Sequence, residues 1–402
     1  MRVLMVSDTI EFSGAERAIV NLARALASTK HVKILLLTTR FLNTTTPRLP
    51  FERSFIISKK KPISIKELYS ILLNPVIFMK TLHYFLHVAD DFQPDVVHSG
   101  VFLSLIWSTI ISRKMKIPLV AHVHDYRFLC LTDLPFVNGV VSQIPSSLEL
   151  KYYLDKTNIY SAMLAMGLRR LILQFLNRAD LILAVSNFVK NKIQPFLKPP
   201  IKVVYNLVDT PVFKYEKFND TINIVYSARL SFSKGIHIFL RAVKSLVKDT
   251  RVRIHITGFG ELEPLVRQYS SKYEKSIIFH GFLPKNLLQE LIGRSHLTVH
   301  PFLWPEPFSL SIIESVNLGT PAIASNRGAI PEILPSHYLF EPEAEQLRAK
   351  ILSFMMRPED YPPILAINLD ANCIVNTLIE FYQRILKTGK KEHELFIMYE
   401  KE

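Results

Sequence analysis

The chain of 402 residues is 49% hydrophobic and 21% charged, which suits about two globular domains and excludes long disordered stretches. It has two cysteines, Cys130 and Cys373, which excludes a disulfide framework or a cysteine zinc cluster, so we expect a reducing compartment, the cytoplasm. The net charge of +14 is uneven, because residues 1–200 hold 25 Lys and Arg against 13 Asp and Glu, and such a basic half favours an anionic membrane, a lipid phosphate or nucleic acid as a partner.

The first 206 residues alternate apolar strand patterns with helical patterns. The spacing predicts strands at 3–7, 33–38, 95–98, 119–122, 181–185 and 202–205, and helices at 15–28 and 103–112. Because the chain enters a strand at once, we expect no secretory leader, and no apolar run reaches the roughly 18 residues that cross a bilayer. Continuous apolar strands between helices indicate a parallel sheet covered on both faces.

Two segments interrupt this alternation. Residues 58–89 are Lys-rich and then aromatic and aliphatic, and residues 127–178 end in a helical pattern. Basic residues beside large apolar ones are typical of a helix at a membrane surface, but also of a helix packed on its own domain. Both interpretations stay open for 58–89, which with the basic first half predicts contact with an anionic membrane surface. Packing is expected for the helix that ends at Arg178.

The second half repeats the alternating pattern. Strands are predicted at 223–227, 253–257, 276–279, 298–300 and 321–324, and helices at 235–247, 262–272, 286–293 and 309–318. No regular period starts in 206–220, so we place the domain boundary there, with one domain at 1–206 and another at 207–370. The fold class is therefore α/β, with two doubly wound parallel-sheet domains facing a cleft, where ligands bind at the carboxyl ends of the strands.

Residues 306–332 carry the most specific pattern. Glu306 and Glu314 bracket the start of a predicted helix, which Gly319 and Pro321 end. The first N–H groups of a helix are unpaired and attract anions, and carboxylates beside them accept hydrogen bonds from hydroxyl groups. This combination suits a nucleotide-sugar. Glu314 also fits a capping box with Ser311, which is the purely structural alternative.

Two further motifs follow strands of the second half. Arg229 and Lys234 lie after the first strand, where two cations can neutralise a diphosphate leaving group, although surface cations would look the same. Gly258 and Gly260 follow the next strand. Glu263 occupies the place of the third glycine of a dinucleotide fingerprint, which argues against an NAD(P)-dependent dehydrogenase.

The first half holds two weaker candidates. Gly14 precedes the first helix, where it allows backbone N–H groups to approach a phosphate. His124 and Asp125 follow a strand, and a lone histidine in that place is more often structural than catalytic. We expect His122 to point to the other face of the strand and to be structural.

These motifs together resemble the retaining glycosyltransferases of family 4, which have the GT-B fold. Glu306, seven residues and Glu314 match the family's nucleotide-sugar signature. The resemblance implies that Glu306 contacts the donor sugar, that Glu314 holds the ribose and that His124 lies near the sugar. Arg229 and Lys234 resemble the family's diphosphate-binding pair.

Weaker matches complete the implied donor site. By resemblance, the donor-binding set also contains Gly14, Gly258, Gly260, Gly281, Phe282, Phe308, Ser309 and Leu310. The chain departs from the family pattern where Ser13, Leu207, Ser309 and Ala329 replace glycines. The family further implies that 1–206 binds the acceptor, that 207–370 binds the nucleotide-sugar, and that a helix near 373–386, within 371–402, packs back on the first domain.

The implied activity is transfer of a hexosyl group, with retention, from a nucleotide-diphosphate sugar to a hydroxyl of a glycan or lipid-linked acceptor in glycan biosynthesis. We expect no metal and no other cofactor, since Asp90 and Asp91 lie on a helix end and no Asp-x-Asp follows a strand. No nucleic-acid motif accompanies the basic half, so nucleic acid is not expected as a partner. Two alternatives remain: a catalytically inactive homologue that binds a membrane or partner, and an epimerase-like GT-B enzyme.

Overall fold

The computed structural model describes residues 1–7, 14–29, 31–38, 54–55, 74–100, 103–126, 129, 136–137, 140–141, 154, 159–209 and 215–388. The chain divides into two compact units. Unit 1 comprises Met1–Asp133, Gln143–Leu207 and Leu369–Glu402, and unit 2 comprises Leu134–Ser142 and Val208–Asn368. The second stretch of unit 1 thus ends at Leu207, one residue after the boundary that we placed from sequence.

Unit 1 contains a seven-stranded parallel sheet in the order β3-β2-β1-β4-β5-β8-β9. Its strands are β1 (Arg2–Ser7), β2 (Lys33–Thr38), β3 (Ser54–Phe55), β4 (Val96–Ser99), β5 (Leu119–Val123), β8 (Leu181–Ala184) and β9 (Ile201–Val203). Two short strands, β6 (Phe136–Val137) and β7 (Val140–Val141), form a separate antiparallel pair in a stretch that belongs to unit 2. Nearly every residue of β1, β4, β5 and β8 is buried, as expected for strands covered on both faces.

Among the described residues before the second sheet, the helices are α1 (Gly14–Ala27), α2 (Pro75–Phe92), α3 (Leu103–Met115), α4 (Ile159–Leu176) and α5 (Asn187–Ile193). The helix predicted at 15–28 corresponds to α1, whose Ile19, Leu22 and Leu26 form an apolar stripe that is buried in the core of unit 1. Asn74 caps α2, since its side-chain oxygen accepts hydrogen bonds from the first N–H groups of that helix.

Unit 2 contains a six-stranded parallel sheet in the order β12-β11-β10-β13-β14-β15. Its strands are β10 (Ile222–Ser227), β11 (Val252–Thr257), β12 (Ile277–Gly281), β13 (Leu297–His300), β14 (Ala322–Ser325) and β15 (Leu339–Phe340). The strand order reverses between β10 and β13, which makes their carboxyl ends the topological switch point of this sheet. The predicted α/β class with parallel sheets is confirmed.

The helices of unit 2 connect these strands, and one last helix returns to unit 1. They are α6 (Ile236–Val243), α7 (Glu263–Lys272), α8 (Lys285–Arg294), α9 (Leu310–Asn317), α10 (Ile330–Ile333) and α11 (Ala344–Met356), followed by α12 (Ala371–Thr388). Helix α12 buries Leu378 and Tyr382 in the core of unit 1. The Tyr382 hydroxyl lies 2.6 Å from Nδ1 of His98.

The segment that leads into β10 is fixed to unit 2 by a partly buried lysine. Lys217 Nζ donates to the carbonyl oxygens of Gly293, Ser295 and Gly319, at 2.9, 2.7 and 3.0 Å, and to the Thr320 hydroxyl at 2.7 Å. These acceptors lie just past or at the C-terminal ends of α8 and α9, where a cation is electrostatically favoured. Burial lowers the pKa of Lys217 to about 8.

Residues 58–73 of the first interrupting segment lie outside the described residues, whereas 74–89 form the start and middle of α2. Helix α4 belongs to the second segment. Its second half packs as expected, with Ile172 and Leu176 buried, whereas Ile159 and Met163 of its first half are exposed. In the described part of the chain, no helix combines the length and the apolar character needed to cross a membrane.

Candidate functional site

The sequence motifs of the second half converge on the carboxyl edge of the sheet in unit 2. Arg229 follows β10, Gly258 follows β11, Gly281 ends β12 and Glu306 lies in the loop after β13. The carboxyl ends of parallel strands share one edge of a sheet, so residues from four separate motifs lie along the same border. Arg229 is exposed there, and its backbone continues directly into the loop that carries Lys234.

The centre of this edge is an ion pair at the switch point. Lys234 Nζ lies 2.7 Å from Oε2 of Glu306, and the two side chains are only 24% and 15% exposed. The same ammonium group lies 4.4 Å from the centre of the Phe302 ring, a cation–π contact. Beneath it, burial and then the Lys234 charge lower the pKa of His300 to about 3, so that His300 is neutral at pH 7.

Backbone contacts hold the Glu306 loop from two sides. The N–H groups of Leu303 and Trp304 donate to the Ser233 carbonyl, both at 3.0 Å. On the other side, a Cβ on Gly328, whose φ is +65°, would lie 2.3 Å from the backbone of Glu306. Gly328 is therefore required by a close backbone approach, which fixes the position of the Glu306 carboxylate.

Gly258 and Gly260 support the Arg229 loop in the same way. A Cβ on Gly258 would lie 2.0 Å from the Ala228 carbonyl oxygen, and a Cβ on Gly260 would lie 2.4 Å from that of Leu230. The two loops run backbone against backbone. These glycines shape the site by allowing that contact, which is a role their sequence pattern did not specify.

Tyr226 is a site-supporting residue that the sequence analysis missed. Its side chain is fully buried, and its hydroxyl lies 3.0 Å from the carbonyl oxygen of Lys234 and 3.3 Å from that of Arg229. Burial raises the pKa of Tyr226, so the hydroxyl stays protonated and donates a hydrogen bond. One buried hydroxyl thus connects the backbones of both predicted diphosphate-binding cations. A tyrosine inside an apolar strand does not reveal, from the sequence, which backbone groups its hydroxyl will contact.

The N-terminal cap of α9 is not the residue that the predicted capping box would use. Ser309 is the N-cap residue, with φ −91°, and its hydroxyl lies 3.3 Å from that of Ser311. The capping box between Ser311 and Glu314 is therefore wrong, because Ser311 is inside the helix and cannot cap it. Phe308 and Leu310 are buried on either side of the cap. The negative φ of Ser309 also shows that its backbone does not require the glycine found in the family.

An exposed aromatic pair lies beside Gly281. Phe282 is 71% exposed and Phe259 is 58% exposed, and their rings meet at 65° with centroids 6.0 Å apart. The Gly281 carbonyl accepts hydrogen bonds from the N–H of Gly258 and from the Thr257 hydroxyl. Gly281 and Phe282 of the predicted donor-binding set thus combine a hydrogen-bonded backbone with an exposed aromatic ring.

In unit 1, His124 lies just after β5 at the carboxyl edge of its sheet. Burial lowers the pKa of His124 to about 4, although Asp125 and Asn206 oppose that shift. The orientation expected for His122 is wrong: its ring centroid lies 4.2 Å from that of His124. Residues two apart in a strand point to the same face, and His122 also contacts His98, at 5.3 Å.

The remaining predicted positions of the first half are placed as follows. Gly14 is the first residue of α1 and is exposed, and Ser13 lies outside the described residues. Leu207, which replaces a glycine of the family pattern, is buried in the core of unit 1. Ala329 is likewise buried, with φ −86°, so an alanine fits there. Over the described ranges, no cluster of three or more His, Cys, Asp or Glu side chains could hold a metal ion.

Comparisons with known proteins agree with this geometry. The chain matches the family described as glycosyl transferases group 1 over residues 209–364, and that described as glycosyltransferase family 4 over residues 12–211. An uncharacterized glycosyltransferase of Methanocaldococcus jannaschii is 25% identical over 172 residues. That match includes 38% of this chain and 44% of the relative, so the chain spans less than half of its length.

Solved structures show the same fold along nearly the whole chain. HepE of Anabaena in complex with UDP is 19% identical, has a TM-score of 0.62, and is matched over 96% of this chain and 99% of HepE. Sucrose-phosphate synthase from Thermosynechococcus elongatus is 15% identical, with a TM-score of 0.71 and coverage of 96% and 99%. The chain belongs to the family 4, group 1 glycosyltransferases and has their GT-B fold.

Proposed function

We propose that this glycosyltransferase moves a hexosyl group from a nucleotide-diphosphate sugar to a hydroxyl of a glycan or lipid-linked acceptor, with retention at the anomeric carbon. The pair formed by Lys234 and Glu306 carries the proposal. A cation suited to phosphate and a carboxylate suited to sugar hydroxyls meet at the switch point of the sheet, where α/β folds bind nucleotides.

The donor would lie along the carboxyl edge of unit 2. The Lys234 ammonium has three N–H donors, of which one is directed to Glu306, and exposed Arg229 adds a second cation. The free N–H groups at the start of α9 favour an anion as well. Glu314, in the second turn of α9, would accept hydrogen bonds from the ribose hydroxyls.

The proposed step needs no protein base. The bond between the anomeric carbon and the diphosphate oxygen breaks, and its electron pair leaves with the diphosphate. The acceptor oxygen bonds to the same face of that carbon, and its proton passes to the departing phosphate oxygen. We assign the neutralisation of the leaving group to Arg229 and Lys234, so that the proposed transfer is metal-independent.

His124 would serve as a neutral hydrogen-bonding group in unit 1. With a pKa lowered to about 4, the imidazole carries no charge at pH 7 and offers one N–H donor and one acceptor nitrogen. That suits a sugar hydroxyl better than it suits a phosphate.

Binding measurements test the donor site directly. We would titrate nucleoside diphosphates and UDP-, GDP- and ADP-sugars by calorimetry, beginning with UDP-glucose because HepE has been solved in complex with it. One base should bind selectively. Arg229→Ala should weaken binding about 10- to 100-fold, since hydrogen bonds to charged groups contribute about 1.5–3 kcal/mol.

Arg251→Ala is the matched control, because Arg251 is an exposed arginine of unit 2 that pairs with Asp249 at 2.7 Å. It should bind like the wild type. Binding of none of the nucleotides would overturn the donor site and favour the inactive-homologue alternative. Release of an epimerised sugar without transfer, followed by NMR, would favour the epimerase alternative.

A further inference from the structure

Two helices of unit 1 expose a group of large apolar side chains. These side chains, which we call the α2–α4 surface, are Val76, Ile77, Met79, Ile159, Met163 and Met166. Met79 is 57% exposed and Met163 is 63% exposed. Among the described residues of unit 1, Leu386 is the one other large apolar side chain exposed to this degree. Both helices pack on α3, and large apolar side chains left exposed on two helices that flank the same third helix mark an interaction surface.

The topology places this surface toward the carboxyl edge of the sheet. Helix α2 leads into β4 and α4 leads into β8, so both helices end near the amino ends of parallel strands and begin toward the other edge. Contacts agree with this direction: the Phe78 ring of α2 lies 6.0 Å from Trp107, in the second turn of α3, and α3 itself starts after β4. Helix α4 also packs on α3. His124 follows β5 at this same edge.

On the described residues of these two helices, the charges beside the apolar side chains have one sign. Helix α4 contains no Asp or Glu, and α2 contains none before Asp90. Exposed Lys80 and Arg170 lie beside the apolar side chains on the two helices. Apolar side chains bordered by cations match an anionic bilayer, which takes up apolar groups at the headgroup boundary and attracts cations to its phosphates. A protein partner would in general require a rim of mixed polar groups.

We propose that the α2–α4 surface docks on an anionic lipid bilayer, and that the acceptor is a membrane-embedded amphiphile whose hydroxyl is presented near the carboxyl edge of unit 1. The acceptor class rests on the proposed function, whereas bilayer docking does not. The contact involves the first turns of α2 and the first half of α4. It therefore adds α4 to residues 74–89, the described part of the segment that the sequence had indicated.

Vesicle flotation tests the docking. The full-length protein would be mixed with vesicles of phosphatidylcholine, with or without phosphatidylglycerol, at low and high salt. We expect the wild type to float with the anionic vesicles and to bind more weakly at high salt. The double variant Met79→Gln/Met163→Gln should partition about tenfold less or weaker still, because two apolar side chains leave the bilayer. Met356→Gln, a 76% exposed methionine on α11 of unit 2, should float like the wild type.

Absence of wild-type flotation, or equal flotation of the double variant, would overturn the docking surface. If light scattering shows a dimer that the double variant dissociates, while no variant binds vesicles, the surface joins two copies of the chain and the proposal fails. The same samples would be titrated with nucleoside diphosphate. Intact nucleotide binding without flotation would overturn the membrane inference alone, and flotation without nucleotide binding would overturn the proposed function alone.

Discussion

Lys234 and Glu306 lie 72 positions apart in the chain, yet their side chains meet at 2.7 Å. Each neutralises the other inside a site with little exposure, where leaving one charge unpaired is costly. A donor diphosphate would compete with Glu306 for the Lys234 ammonium. The pair therefore connects phosphate binding to the orientation of the carboxylate that we assign to the sugar.

This coupling predicts a split between turnover and binding. Glu306→Gln and Glu306→Ala should lower kcat by at least about 100-fold, the scale seen when one group that stabilises a transition state is removed. The Kd of the nucleoside diphosphate should stay equal or fall, because Lys234 is released from its partner. Glu290→Gln, in an exposed ion pair with Arg294, should change neither quantity. Near-normal turnover of the Glu306 variants would remove the sugar-contact role.

Tyr226 should support donor binding without contacting the donor. Tyr226→Phe removes only the hydroxyl that joins the backbones of Lys234 and Arg229, and a buried hydrogen bond contributes about 0.5–1.5 kcal/mol. We expect nucleoside diphosphate affinity to fall about 3- to 10-fold, by calorimetry, with a small loss in Tm. Tyr269→Phe on α7 is the control for loss of a tyrosine hydroxyl. An unchanged Kd for Tyr226→Phe would show that the hydroxyl does not position the cations.

Alanine substitutions at Gly328 and Gly319 should distinguish the cost of backbone strain from the cost of steric overlap. Both have positive φ, +65° and +74°, but a Cβ on Gly319 meets nothing within 4 Å, whereas a Cβ on Gly328 lies 2.3 Å from the Glu306 backbone. Gly319→Ala should cost about 1–2 kcal/mol from left-handed backbone strain. Gly328→Ala should cost about 1–3 kcal/mol more and reduce transfer, because the Glu306 loop must move. Equal losses in urea denaturation would contradict this difference.

The buried histidines predict acid sensitivity. Burial lowers the pKa of His98 to about 3 and that of His124 to about 4, and it lowers the pKa of His122 well below its usual value. Below pH 6.5 the unfolded chain binds protons that the folded chain excludes, so stability falls as pH falls from about 6.5 toward 4. Near pH 5 the slope from three such groups approaches about 4 kcal/mol per pH unit.

Urea denaturation at pH 7, 6 and 5 measures the total slope, to which buried His300 of unit 2 also contributes, and the difference between the wild type and a variant gives the contribution of the unit 1 cluster. His122→Gln should reduce the contribution of the cluster by about a third, because one of the three titrating groups is lost. His337→Gln, an exposed histidine of unit 2, is the control. A free energy of unfolding that stays constant from pH 7 to pH 5 would show that the three imidazoles are not held neutral.

The elements and the residues of the carboxyl edge followed from the sequence, because their signals are local. Apolar runs, helical spacing and the glycine and proline that end a helix depend on neighbours a few positions apart. The motifs around Arg229, Lys234 and Glu306 occur directly after strands, so the parallel sheet sufficed to place them along one border. The same local reasoning misplaced the cap of α9, because serine is a common cap residue and the sequence has a serine at both 309 and 311.

Only the tertiary structure decided which distant groups touch. Strand order and helix packing bring Gly328 against Glu306 and place the Tyr226 hydroxyl between the backbones of two cations. They also assemble the cluster of His98, His122 and Tyr382 and leave Met163 exposed. The Tyr226 hydroxyl reaches residues three and eight positions away, whereas the glycine approach and the histidine cluster join residues tens to hundreds of positions apart. Sequence periodicity fixes which face a residue takes on its own element, whereas the energy of a contact depends on what another part of the chain places opposite that face.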